Sequence, residues 1–246
     1  MLWKILNLVA AILYLLAGGY IIFRFKDKLP YKVTTILMTL LIFIPYVFSL
    51  INYYCNYDGV TGWHFKYTLP TANISPFMFF MVFVVLFLPK IIQKHFYLLM
   101  ALFSFVMVVA GIGSPVYYAF FYHYYYSFIS IEWITHLTMA FFGIYLLLTK
   151  KIEVTVKNCV KASMIIYVTV AIMMILNIIL GTAFFGLAFN GKHNIYTLIV
   201  ISNPYLSALV YVIGLTCFLI IGYWFLKFIK RIDEKRTVVM DEKQTT

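Results

Sequence analysis

Apolar residues in this chain fall into seven stretches separated by short segments that collect most of the Lys and Arg. The stretches run approximately 3–23, 33–54, 70–89, 95–113, 127–149, 160–182 and 205–228. A helix rising about 1.5 Å per residue needs roughly 20 residues to cross the hydrocarbon core of a bilayer. Each stretch meets that length, so the pattern predicts an all-α, polytopic transmembrane helix bundle of seven spans. Residues 1–23 begin weakly basic at Lys4 and carry a Gly18-Gly19 pair. A cleaved signal peptide shares those features, but the run is long for one, and Arg24, Lys26 and Lys28 follow it like a stop-transfer flank. It is read as the first span. The chain then divides into a transmembrane domain, 1–232, and a polar tail, 233–246, that has no core of its own.

The segments between spans alternate in charge. The first has Arg24, Lys26, Lys28 and Lys32 against Asp27, and the second has Lys66 against Asp58. The third has Lys90 and Lys94, whereas the fourth, Pro115 to Tyr126, has no Lys or Arg. The fifth has Lys150, Lys151, Lys157 and Lys161 against Glu153, and the sixth has Lys192. Basic loops stay on the cytoplasmic side, so this alternation predicts an outside N-terminus and an inside C-terminus. Seven spans satisfy it; six break it. The fourth segment, PVYYAFFYHYYY, suits the aromatic belt at a membrane surface and is read as a short interfacial segment.

Composition agrees with that picture. The chain is 64% hydrophobic and 11% charged, with a mean hydropathy of +0.96. Its net charge of +11 would suggest nucleic acid in a soluble protein. Here the cations lie between apolar runs, as topology signals and contacts for anionic lipid headgroups at the cytoplasmic face. A multi-pass protein of the cell membrane, with no nucleic-acid partner, is expected. Cys55, Cys159 and Cys217 are scattered without metal or disulfide spacing. His64, His95, His123 and His193 have no second ligand at metal spacing, and Gly111-Ile-Gly113 lacks the context of a dinucleotide site. No GxSxG, HExxH or Walker lysine occurs. Neither cofactor nor metal is expected.

The fifth stretch stands apart because it carries two ionisable side chains, Glu132 and His136, four residues apart. In a helix that spacing puts them on one face, a turn apart. A carboxylate inside a span costs roughly 2.5 kcal/mol or more, so it calls for a partner or a wet cavity. With the predicted orientation, Thr71 and Asn73 lie in the outer turns of span three, Glu132 and His136 near the outer end of span five, and Asn177 near the outer end of span six. Ser202 and Asn203 open span seven on the same side. Four spans thus direct polar groups at one site in the outer half of the bilayer. Each residue also has a plainer role: Asn73 and Asn177 as interhelical glue worth about 0.6 kcal/mol on average, Glu132 as a helix N-terminal anion, His136 as a satisfied core histidine. Together, a His with a Glu one turn away forms an acid–base pair in which the carboxylate holds the imidazole tautomer.

Leu69-Pro70 opening span three, the aromatic run before His136, and Asn177-x-x-x-Gly181-Thr182-Ala183-Phe184-Phe185 closing span six resemble the YwaF-like family of multi-pass membrane proteins. The resemblance covers roughly residues 30–230 and lies in the order of spans more than in dense identity. Animal relatives of that family act as phospholipid acyltransferases, with a Cys just after the span-three Pro as acyl acceptor and the span-five His as its partner. His136 matches that His. Thr71 stands where the relatives have Cys, Ala72 where many have His, and Ala183 where the Gly-Thr run has Asn. The resemblance implies a lipid acyl-transfer enzyme acting on membrane phospholipid at the outer leaflet. His136 would be its base, oriented by Glu132, with Thr71 as nucleophile or acyl transfer direct, and Asn73 or Asn177 as oxyanion donors. A proton-coupled transporter or small-ligand binding membrane protein using Glu132 and His136, and a non-catalytic subunit retaining the fold, are the alternatives that the residues leave open.

Overall fold

The computed structural model describes residues 2–55, 74–121, 129–180, 185 and 204–245, and these are helical almost throughout, with no strand among them. Helix α1 is Leu2–Phe25 and α2 is Tyr31–Cys55, joined by a 3-10 turn at Lys26–Lys28. Helix α3, Ile74–Val84, ends in a 3-10 turn at Val85–Phe87. Helices α4, Lys90–Leu102, and α5, Ser104–Phe121, follow. Helix α6 is Ile129–Leu148, α7 is Val156–Leu180 and α8 is Pro204–Thr245. Four segments have the length and apolarity of a membrane span: Ile5–Lys28, Tyr31–Ile51, Val156–Leu180 and Ala208–Arg236. The pair α4 and α5, taken as one bent span, makes a fifth. The apolar helical segments Ile74–Phe87 and Trp133–Leu148 are shorter. The protein is therefore an all-helical, membrane-embedded bundle with four to five candidate spans among its described residues.

Helix α6 is the centre of the bundle and packs against α1, α2, α3, α4, α5 and α8. From Leu137 to Leu148 its residues are buried on all sides, Gly143 included. A helix that is apolar all round belongs in an interior, and α6 shows that pattern over Phe141, Phe142, Ile144, Tyr145 and Leu146. The outer helices turn apolar side chains outward instead. Leu16 of α1 is 64% exposed and Ile179 of α7 is 70% exposed, a surface suited to lipid tails and not to water.

The expected fourth span, 95–113, is not one straight helix. It starts earlier, at Lys90, and bends by 49° between α4 and α5 at Phe103. The residues around the bend carry no Pro or Gly, the usual local causes of a kink. The cause is tertiary. Ala101 and Ser104 lie against the bare backbone of Gly143 on α6, and the Leu102 carbonyl lies against Gly222 on α8. Ser104 Oγ donates to the Ala140 carbonyl of α6 at 3.3 Å. Phe103 N–H still reaches the Leu99 and Met100 carbonyls at 3.2 Å each, so the bend keeps that donor satisfied.

 Met107 N–H to the Phe103 carbonyl, at 2.9 Å, opens α5. Helix α5 then continues through Pro115 to Phe121, so the first part of the expected interfacial segment is helical.

Contacts at one end of the bundle tie distant parts of the chain together. Lys26 forms an ion pair with Asp233 of α8, and Arg236 donates to the Phe23 carbonyl at 2.8 Å. Tyr145 Oη donates to the Leu29 carbonyl at 3.2 Å, and the Lys151 ammonium lies 4.7 Å from the centre of the Tyr31 ring. The first basic segment, the fifth and the start of the expected tail therefore meet. The tail residues prolong α8 as one helix of 42 residues, about 63 Å at 1.5 Å per residue and twice the hydrocarbon thickness. Nothing after Gly222 breaks a helix, and Lys230 pairs with Glu234 one turn on at 3.7 Å.

Candidate functional site

Of the residues singled out in the sequence, His136 is placed with the most detail. It sits on α6, half-buried, where α3 and α5 cross that helix. Its ring stands edge to face with Phe79 of α3, with centroids 4.9 Å apart and planes at 90°. Such aromatic pairs contribute about 0.5–1.5 kcal/mol beyond their buried area and restrict the ring's rotation. On the other side, Gly111 of α5 has no side chain and lets that helix come close to His136 and Leu137. The imidazole is thus held at a three-helix junction while part of its surface stays accessible.

Asn177 is on α7, one turn before the helix ends at Leu180, and only 1% of its surface is exposed. Just beyond, Phe185 is buried and packs against Phe77 of α3, with ring centroids 5.6 Å apart. Phe185 has a φ of 55°, in the left-handed region that bulky residues seldom adopt. Helix α3 therefore receives His136 through Phe79 and the chain beyond α7 through Phe77. Thr71 and Asn73 lie outside the described residues, as do Gly181 to Phe184. Glu132 lies within the helical backbone of α6, one turn before His136, but its side chain is outside the described residues.

Sequence reasoning missed Tyr14. Its hydroxyl shares a hydrogen bond of 2.7 Å with Thr138 Oγ1 of α6. Its ring packs against Trp133, centroids 5.5 Å apart and edge on, and against Phe141 at 5.6 Å. A Tyr at the centre of the largely apolar first span, flanked by Leu13 and Leu15, was the available signal. Trp133, three residues before His136, is buried, and its indole N–H has no hydrogen-bond partner among the described residues. No group of three or more His, Cys, Asp or Glu fit to hold a metal occurs among the described residues.

Comparison of the chain with family models, curated proteins and solved structures gives no match. What the site can do follows from its own chemistry. An imidazole is the side chain best suited to accept and return a proton near neutral pH. Here it is oriented by packing inside an apolar bundle.

Proposed function

We propose that this protein is a seven-span member of the YwaF-like type, N-terminus outside and C-terminus inside, that transfers an acyl chain to a membrane lipid at the outer leaflet. The observation that carries the reading is the placement of His136, half-buried and oriented by Phe79 at the junction of α3, α5 and α6. In the proposed reaction a hydroxyl attacks the carbonyl of an acyl donor and His136 takes the hydroxyl proton, which the imidazolium then gives to the donor's leaving oxygen or sulfur as the bond from that atom to the carbonyl carbon breaks. Glu132, one turn away, steadies the imidazolium. The tetrahedral oxyanion is met by the amide of Asn73 or Asn177, and one well-aimed donor of this kind is worth about 3 kcal/mol in the transition state. The hydroxyl belongs either to Thr71, which then carries the acyl group, or to the acceptor lipid itself. The meeting of the first basic segment, the fifth and the start of the tail at one end of the bundle supports the topology.

Lipid analysis of cells making the wild-type or variant protein tests this reading. His136→Ala is expected to abolish the lipid change that the wild type produces, since a general base supplies about 10²–10⁴-fold in rate. Glu132→Gln should leave residual activity. Loss in Thr71→Ala equal to that in His136→Ala assigns an acyl-Thr intermediate, and a mild effect assigns direct transfer. A proton-relay transporter would instead make Glu132→Gln as damaging as His136→Ala and leave Thr71→Ala silent. Wild-type lipid composition in all three variants would overturn the enzyme reading.

A further inference from the structure

A second feature lies at the basic end of the bundle and shares no residue with the His136 site. Between α4, α7 and α8 is a slot of about 280 Å³, lined by Leu102, Cys159, Ser163, Tyr167, Thr216 and Tyr223 among others. Its wall on α7 also includes Val156, Val160 and Met164, which are 66%, 57% and 54% exposed, so the slot opens sideways from the bundle. The Tyr167 hydroxyl and Thr216 Oγ1 bond to each other at 2.7 Å across it and leave the lining apolar in effect.

The stripe on α8 that lines the slot, Thr216, Leu219, Ile220 and Tyr223, recurs at helical spacing and next reaches Lys227. The Lys227 ammonium is 5.7 Å from the centre of the Tyr223 ring and close enough to act electrostatically on Cys159. Both of those residues line the slot. On α7, exposed Lys157 follows Val156 at the same end. An apolar slot open to the side with two ammonium groups at its basic end matches one molecule abundant in a membrane: a lipid with an anionic headgroup.

We propose that this slot is a binding site for an anionic phospholipid, with an acyl chain between α7 and α8 and the phosphate held by Lys157 and Lys227. A second copy of the chain is the poorer occupant. In a two-fold pair each copy would set its own basic mouth against the other's, and like charges facing each other oppose association. The proposal does not depend on what His136 does.

Native mass spectrometry of the purified full-length protein, offered phosphatidylglycerol or phosphatidylcholine, tests it. The wild type should retain phosphatidylglycerol in preference to phosphatidylcholine. Each lysine near an anionic lipid surface is worth about 1 kcal/mol, or roughly fivefold, so Lys157→Gln with Lys227→Gln should weaken phosphatidylglycerol retention by roughly 25-fold and phosphatidylcholine, whose choline offsets its phosphate charge, by far less. Val160→Trp, which fills the slot from an exposed position, should weaken retention of phosphatidylglycerol with both lysines in place. Equal retention of the two lipids by the wild type would overturn the proposal. So would unchanged phosphatidylglycerol retention in either variant, or a dimer mass that Val160→Trp abolishes while lipid has no effect on it.

Discussion

Gly143 and Gly222 do at residue scale what no larger side chain could do in their places. Each lets a helix backbone touch the bend between α4 and α5, and small residues at helix crossings are the means by which membrane helices approach closely. Gly214, on the same helix as Gly222, has open space where a Cβ would stand. Gly143→Leu and Gly222→Leu are therefore expected to cost at least 1–3 kcal/mol by overpacking, read as a lowered thermal midpoint of the purified protein or loss of a monodisperse peak. Gly214→Ala should be neutral or raise the midpoint, since Ala is about 1 kcal/mol better than Gly inside a helix. A midpoint as low for Gly214→Ala as for Gly222→Leu would show that these glycines serve flexibility and not close packing. The candidate base was legible at this scale, because an intramembrane His beside a Glu is rare enough to notice. Its orientation was not, because Phe79 is one of many Phe residues until the fold selects it.

At the scale of elements, the end of α6 shows a local rule broken. Lys150 N–H bonds to the Leu147 carbonyl at 3.0 Å and Lys151 N–H to the Leu146 carbonyl at 2.9 Å. These are the two bonds of a Schellman motif, whose left-handed position is normally Gly. Here it is Lys150, with a φ of 58°. Lys150→Gly should accordingly stabilise the protein by about 1 kcal/mol, the usual cost of a left-handed non-Gly residue. A thermal midpoint at or below the wild-type value would contradict the motif. The next helix begins conventionally, with Asn158 N–H donating to Thr155 Oγ1 at 3.2 Å, a side-chain N-cap. Helix ends with such local partners can be read from sequence. The bend at Phe103 could not be, because its partners, Gly143 and Gly222, are 40 and more residues away in the chain.

For the whole molecule, the contacts of Lys26 with Asp233 and of Arg236 with Phe23 require that the first segment and the start of the tail lie on one side of the membrane. The alternating charge predicts that this side is the cytoplasmic one. Cysteine substitution at Glu153 should give protection from a membrane-impermeant thiol reagent in intact cells, and substitution at Tyr57 should give labelling, each on a background lacking Cys55, Cys159 and Cys217. Labelling at position 153 from outside would reverse the topology and move the His136 site to the cytoplasmic half.

By itself the sequence determined that the chain is helical and embedded in a membrane, and which polar residues are costly enough there to call for a role. Those properties depend on apolar run length, charge between runs and the price of polarity in hydrocarbon, all readable along one dimension. Only the tertiary structure decided that α6 is the hub, that α4 and α5 part at an angle, that Tyr14 joins Thr138, and that a slot opens between α7 and α8 above two lysines. In a chain this uniformly apolar, hydrophobicity cannot choose among helix partners, because lipid receives an apolar face as readily as another helix does. The choice falls to shape: a glycine opposite a backbone, a ring edge on a ring face, and a hydroxyl within reach of another hydroxyl.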